Sequence, residues 1–160
     1  MLCPGMSIQQ PKQRGEWAEL VFMARAAEHG LIVAKPWGES SHYDFAVECG
    51  QGFLRVQVKS TMSKQKNSYV CGLAGGRVYY TPEHIDSLAL YVIPLDLWYI
   101  IPAVVALRGN RRLRVTPEYR KSIYEPYREA WHLLKAKQGT QEPAGPLETG
   151  HSGQRDATLV

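Results

Sequence analysis

The stretch SHYDFAVECGQGFLRVQVKS, Ser41 to Ser60, decides how this chain folds. Side chains alternate across a strand, so Tyr43, Phe45 and Val47 share one face, as do Leu54, Val56 and Val58 on the returning segment. The opposite faces carry Asp44, Ala46 and Glu48, then Arg55, Gln57 and Lys59. Between the two runs, CGQG closes as a two-residue Gly50-Gln51 turn or as a four-residue loop. Either closure sets Asp44 opposite Gln57, Phe45 opposite Val56 and Val47 opposite Leu54, so every pair matches in character. A slip of one residue sets Asp44 against Val58, and the matched register is therefore expected. It leaves Lys59 diagonally beside Asp44 on a face lined with charge.

Outward from this hairpin, the segment from Lys12 to Glu28 is rich in helix formers and is followed by Gly30 at a helix-ending position. Trp17, Ala18, Leu20, Val21, Phe22, Met23, Ala24, Ala26 and Ala27 cover most of its circumference, which predicts burial on more than one side. LIVAKP reads as a short strand ended by Pro36, SYVCGLAG as a fourth strand and TPEHIDS as a short helix begun by proline. LALYVIPL is a continuous apolar run of the kind expected of a central strand covered on both faces. LWYIIPAVVAL and RLRVT flank the Gly109-Asn110 turn as a further hairpin, and TPEYRKSIYEPYREAWHLL reads as helix, interrupted near Pro126. The order points to an α/β domain around a mixed sheet over residues 1–135. Residues 136–160, rich in Gly, Pro and Thr, read as a disordered tail.

With 160 residues the chain has the length of one domain with one core. No apolar run approaches the ~20 residues of a membrane span, which excludes a helical membrane protein. The opening MLCPGMSIQQPKQRG has no basic start followed by an apolar stretch, so no secretory signal is expected. Cys3, Cys49 and Cys71 are odd in number and lack CxxC spacing, which fits a reducing compartment and makes the cytoplasm the expected location. The net charge of +4 is concentrated: residues 61–135 hold eleven Lys/Arg against six Asp/Glu. Four arginines, Arg108, Arg111, Arg112 and Arg114, fall within seven residues, and Lys59, Lys64 and Lys66 add a second cluster. Such clusters suit a polyanion partner, and equally a solvated loop.

An acid on an opening helix (Glu19), YD on a strand (Tyr43-Asp44) and QVK on its neighbour (Gln57-Val58-Lys59) resemble the PD-(D/E)XK nuclease superfamily. RGEWAELVFMARAAEHG, PWGESSHYDF, LRVQVKS and YREAWHLL look like its group I intron-associated homing endonuclease branch, over roughly Arg14 to Leu134. The resemblance implies a restriction-endonuclease-like core in the order αβββαβ, with a mixed central sheet flanked by helices. It assigns catalytic roles to Glu19, Asp44, Gln57 and Lys59, and metal ligation to Asp44, Gln57, the Val58 carbonyl and Glu19. The implied cofactor is Mg2+, with Mn2+ as a substitute, because a hard cation held by oxygen ligands neutralises the scissile phosphate and activates water. Two departures stand out: Tyr43 replaces the proline before the aspartate, and Gln57 replaces a carboxylate, removing one negative charge.

The activity expected is metal-dependent endonucleolytic hydrolysis of double-stranded DNA. A Holliday-junction resolvase-like or repair nuclease on the same fold, and a DNA-binding module with a decayed site, are the alternatives. Ser41, His42, Ser60, Lys64, Lys66, Arg108, Arg111, Arg112 and Arg114 are the candidate DNA contacts. Cutting two strands calls for two copies, so a homo-oligomer, dimer or tetramer, is expected.

Overall fold

The structure is a computed structural model that describes residues 8–38, 40–50, 52–75, 78–109 and 111–135. The 136–160 segment expected to be a tail lies outside the described residues. Helix α1 (Pro11–Glu28) starts on a proline whose missing N–H costs nothing at that position. It ends where Gly30 takes a left-handed φ of 70°, with the Gly30 N–H donating to the Ala27 carbonyl and the Leu31 N–H to that of Ala26. Glycine carries that conformation without the Cβ penalty, and Leu31 folds back into the core.

The main sheet has the order β1-β2-β3-β8-β9, from β1 (Val33–Ala34), β2 (Phe45–Cys49), β3 (Gly52–Thr61), β8 (Ser87–Val92) and β9 (Leu97–Pro102). Phe45 stands opposite Val56, Val47 opposite Leu54 and Cys49 opposite Gly52, which is the register the hairpin sequence selects. Strands β3 and β8 run parallel, and the other pairs run antiparallel, so the sheet is mixed. Between β3 and β8 lie four short strands: β4 (Lys64–Gln65), β5 (Ser68–Gly72), β6 (Ala74–Gly75) and β7 (Val78–Tyr79). β6 and β7 pair with each other. β4 and β5 join β10 (Arg112–Val115) in a second, three-stranded sheet.

Three layers result. Phe45, Val47, Val56, Val58, Ala89, Tyr91, Trp98 and Ile100 face α1 through Ala18, Phe22 and Ala26. On the other side Leu88, Leu90, Val92, Tyr99 and Ile101 pack against Tyr69, Cys71, Leu113 and Val115 of the small sheet. Strand β8 is buried at all six positions, as its unbroken apolar run requires.

Four expectations are corrected by this packing. Helix α1 is buried on one side only, with Leu20 at 64 % exposure, because one sheet face is all it covers. TPEHIDS forms a single turn, closed by the His84 and Ile85 N–H groups on the Thr81 carbonyl, so among the described residues no helix stands between β3 and β8. The segments flanking Gly109 do not pair with each other. β9 returns along β8, Pro102 begins the short helix α2 (Ala103–Ala106), and β10 crosses to β5 to bury Leu113 and Val115. Finally, residues 116–134 form turns and two 3-10 segments, Glu125–Tyr127 and Trp131–Leu134, in place of a continuous helix. Pro117 and Pro126 interrupt it, and Glu129, at φ 48°, docks on the edge of β9. Its N–H donates to the Trp98 carbonyl, and its carboxylate accepts the Trp98 N–H and Trp131 Nε1–H, each at 2.7 Å. The segment thus covers an edge that would otherwise present unpaired backbone groups.

Candidate active site

The site forms where β2 and β3 part. The Asp44 N–H still donates to the Val56 carbonyl at 3.0 Å, but β2 begins only at Phe45. Two residues further along β3, the backbone of Val58 faces the same side and finds no strand there. Its N–H is taken by Asp44 Oδ2 at 2.7 Å. Gln57 Nε2 donates to the same Asp44 Oδ2 at 2.5 Å and to the Val58 carbonyl at 3.3 Å. The parting strands thus bring a carboxylate, a carboxamide and a backbone carbonyl to one point.

Helix α1 supplies the opposite wall. Arg14, Gly15, Ala18 and Glu19 line a cavity of about 250 Å3 together with Asp44, Gln57, Val58, Lys59 and Ser60. All four predicted catalytic residues therefore share one cavity, and the predicted DNA contact Ser60 lies among them. A second cavity, about 380 Å3, shares Pro11, Gly15, Glu19 and Asp44 with the first and extends past Lys12, Lys35, Pro36, Gly38 and Ser41. The two form one cleft along the first half of α1.

Gln57 is 6 % exposed, and Asp44 is half-buried. Burial pushes the Asp44 carboxyl up from its ordinary 3.8 to about 6; the Val58 N–H, Lys59 and Gln57 oppose this, and the charge of Glu19 adds to it. Glu19 is held by Lys35 at 2.7 Å, and Lys35 is raised by that same bond. Lys59 Nζ sits 4.9 Å from the Tyr80 ring centroid, a cation–π contact that keeps it at the cavity wall.

The donor set suits a hard cation. Among the described residues there is no cluster of three His, Cys, Asp or Glu side chains, and the oxygens of two carboxylates, one carboxamide and one carbonyl stand in its place. The Gln57 NH2 now bridges the Asp44 carboxylate and the Val58 carbonyl, two acceptors that otherwise converge with no positive group between them. Rotating the amide by half a turn presents its oxygen instead, so the residues fit the group that the resemblance implies.

The remaining predicted contacts divide in space. Ser41 lies in the cleft, and the exposed His42 ring is stacked on His84 at 4.1 Å. Arg112 and Arg114 project from the outer face of the small sheet, where Arg114 donates to Gln65 at 3.1 Å. Lys64 lies on β4 over the Tyr69 ring, and Lys66 sits at the β4–β5 turn with φ 55°. Arg108 and Arg111 are exposed, and the Arg111 carbonyl accepts the Leu73 N–H. None of these lines the cleft. Arg112 and Arg114 lie on one face of the small sheet and Lys64, in register with Tyr69, on the other; the sheet is attached to the end of β3 by the Thr61 hydroxyl on the Val70 carbonyl at 2.7 Å.

Two cleft residues, Arg14 and Lys35, escape the sequence reading, as does Tyr80, whose ring meets Lys59. Pro11, Arg14, Gly15, Ala18 and Glu19 follow a spacing of three and four, so one helix face already groups Arg14 with Glu19. For Lys35 and Tyr80 the sequence carries no such signal.

Comparison with known proteins places the fold and the family. No curated protein sequence matches the chain. A bacterial homing endonuclease, I-Ssp6803I, is similar in structure with a TM-score of 0.67 and 30 % identity, over 78 % of this chain and 91 % of that one. A looser likeness is to Hjc of Archaeoglobus fulgidus, a Holliday junction resolvase, at a TM-score of 0.46 and 15 % identity over 66 % of this chain and 85 % of that one. The sheet is that of a restriction-endonuclease-like fold. With residues 9–134 matching its model, the chain belongs to the PD-(D/E)XK endonuclease family.

Proposed function

We propose that this protein is a metal-dependent DNA endonuclease that hydrolyses phosphodiester bonds in duplex DNA, in the manner of a homing endonuclease. The observation that carries the reading is the meeting of Glu19, Asp44, Gln57, the Val58 carbonyl and Lys59 in one cavity. Asp44, the Gln57 amide oxygen, the Val58 carbonyl and Glu19 would hold Mg2+, or Mn2+ in its place. Such an ion supplies charge neutralisation on the phosphate and a water of lowered pKa. Lys59 donates to a phosphate oxygen or to the attacking water and orients it. Arg14 and Ser60 reach the same cavity from opposite walls and bind the flanking backbone. Asp44, pushed up by burial, is a carboxylate whose charge the protein leaves without a cationic partner in direct contact. Glu19, paired with Lys35 at 2.7 Å, would be the further ligand, and Lys35 in the same cleft would then be open to DNA.

The basic residues of the small sheet and its β4–β5 turn, Arg112, Arg114, Lys64 and Lys66, supply the wider DNA contact by neutralising phosphates. A duplex has two strands and this cleft one set of catalytic residues, so the active species is a homo-oligomer. Mg2+-dependent cleavage of plasmid by the parent, absent from Lys59→Ala, is the expected result. Equal cleavage by both proteins would refute the reading. Preference for a branched over a linear duplex would move it to a junction resolvase, and Mg2+ titration without any heat dependent on Asp44 would leave a DNA-binding module.

A further inference from the structure

Trp37 stands apart from every other large apolar side chain. Its relative exposure is 101 %, and among the described residues the next, Ile123, reaches 73 %. An indole left wholly in water forgoes the burial that makes tryptophan useful, and such residues mark contact sites. Its position gives the contact a chemistry. Both sequence neighbours, Pro36 and Gly38, line the cleft beside Asp44 and Ser41.

The loop is held at its start. Lys35 is fastened to Glu19 at 2.7 Å and lies over the Phe45 ring at 5.8 Å. Pro36 restricts the backbone before Trp37, and Gly38 turns it with φ 79°. The cleft is walled by Lys12, Lys35 and Arg14 and contains the catalytic acids, so the occupant is a polyanion whose scissile phosphate lies within reach of the loop.

We propose that Trp37 stacks on a base of the bound duplex beside the scissile phosphate, opening or kinking that base step as an aromatic wedge. Stacking on a π-face is tolerant of sequence and adds affinity that phosphates alone do not. The assignment rests on the endonuclease reading above, and its test separates the two.

Of the four tryptophans, Trp98 and Trp131 are buried and Trp17 is half-buried against Tyr91, so Trp37 dominates the solvent-quenchable emission. In EDTA, which prevents cleavage, a mixed-sequence duplex is titrated into the parent, Trp37→Ala and Trp37→Phe, following emission and the anisotropy of labelled DNA. Expected are a loss of the acrylamide-quenchable emission on binding, and weakening by roughly 5- to 150-fold in Trp37→Ala, the equivalent of one base–aromatic stack of ~1–3 kcal/mol. Trp37→Phe recovers most of that affinity. If the parent binds no duplex, the endonuclease reading and this one fall together. If the parent binds but its emission is unchanged and Trp37→Ala binds equally well, this inference alone is overturned. A sedimentation change in Trp37→Ala without any emission response to DNA also overturns it, in favour of a contact between two copies of the chain.

Discussion

Asp44 and Asp86 are the same side chain put to opposite uses on the two sides of β3, Asp44 at the end of its pairing with β2 and Asp86 at the start of its pairing with β8. Asp86 accepts the Arg55 backbone N–H at 2.7 Å, Arg55 Nε at 3.0 Å and Arg55 Nη2 at 3.0 Å, and its own N–H returns to the Arg55 carbonyl at 2.8 Å. Arg55 also reaches the Glu83 carbonyl through Nη1. The guanidinium holds the Asp86 carboxyl below its ordinary range. This carboxylate is consumed in structure, fastening the start of β8 to the middle of β3. Asp44 accepts only a backbone N–H and a neutral amide, and burial raises it to about 6. A buried carboxylate kept off a cation costs stability, and a fold retains one where something else is to bind.

The largest effect expected from breaking the comparison is catalytic. Lys59→Ala should lower the initial rate of Mg2+-dependent plasmid cleavage by roughly 10^2- to 10^4-fold, the usual range for an aligned proton-transfer or orienting group. Its melting temperature should stay near that of the parent, since Lys59 makes no ion pair within contact distance among the described residues and its ring contact is with Tyr80 at the cavity wall.

Next comes the sign of the two aspartates in stability. Asp44→Asn should stabilise the metal-free protein by on the order of 1–3 kcal/mol at neutral pH, seen as a higher denaturant midpoint. The folded pKa lies above the unfolded value of 3.8, so the parent loses stability as pH rises from about 4 to about 6, because the unfolded chain ionises first. The advantage of Asp44→Asn should therefore vanish below about pH 4. A variant no more stable than its parent at pH 7 would show that Asp44 is not strained.

Asp86→Asn should do the reverse, destabilising by about 1–2 kcal/mol at pH 7, discounted because both partners are about a third exposed. Its folded pKa is depressed, so the contribution is present above the unfolded value and is lost as pH falls through the folded one. Denaturation midpoints followed from pH 7 into acid should converge on the parent's. The smallest effect belongs to the outer sheet: Arg114→Ala should weaken duplex binding alike for all sequences and reduce the slope of log K against log salt by about 1.

Much of the site was legible because a hairpin is a local object. The matched characters of Phe45 with Val56 and Asp44 with Gln57 admit one register, and that register is the observed one. The first helix was legible from its composition and its closing glycine, but its burial was not. Alanines read as apolar all round, while only Ala18, Phe22 and Ala26 are fully buried against the sheet, with Trp17 and Val21 packed at their margin. The C-terminal segment misled because helix propensity is a weak prior. Two prolines and the docking of Glu129 onto Trp98 outweigh it.

By itself, then, the sequence determined the hairpin, its register and the grouping of Asp44, Gln57 and Lys59, since pattern and turn chemistry act over a few residues. Only the tertiary structure decided that α1 lays Glu19 and Arg14 against them, that Arg55 finds Asp86 across a parallel crossover, and that Arg112 and Arg114 join Lys64 and Lys66 on a second sheet. Those contacts join residues up to 49 positions apart, as Arg114 and Gln65 are, and depend on which surfaces remain to be buried once the local elements exist.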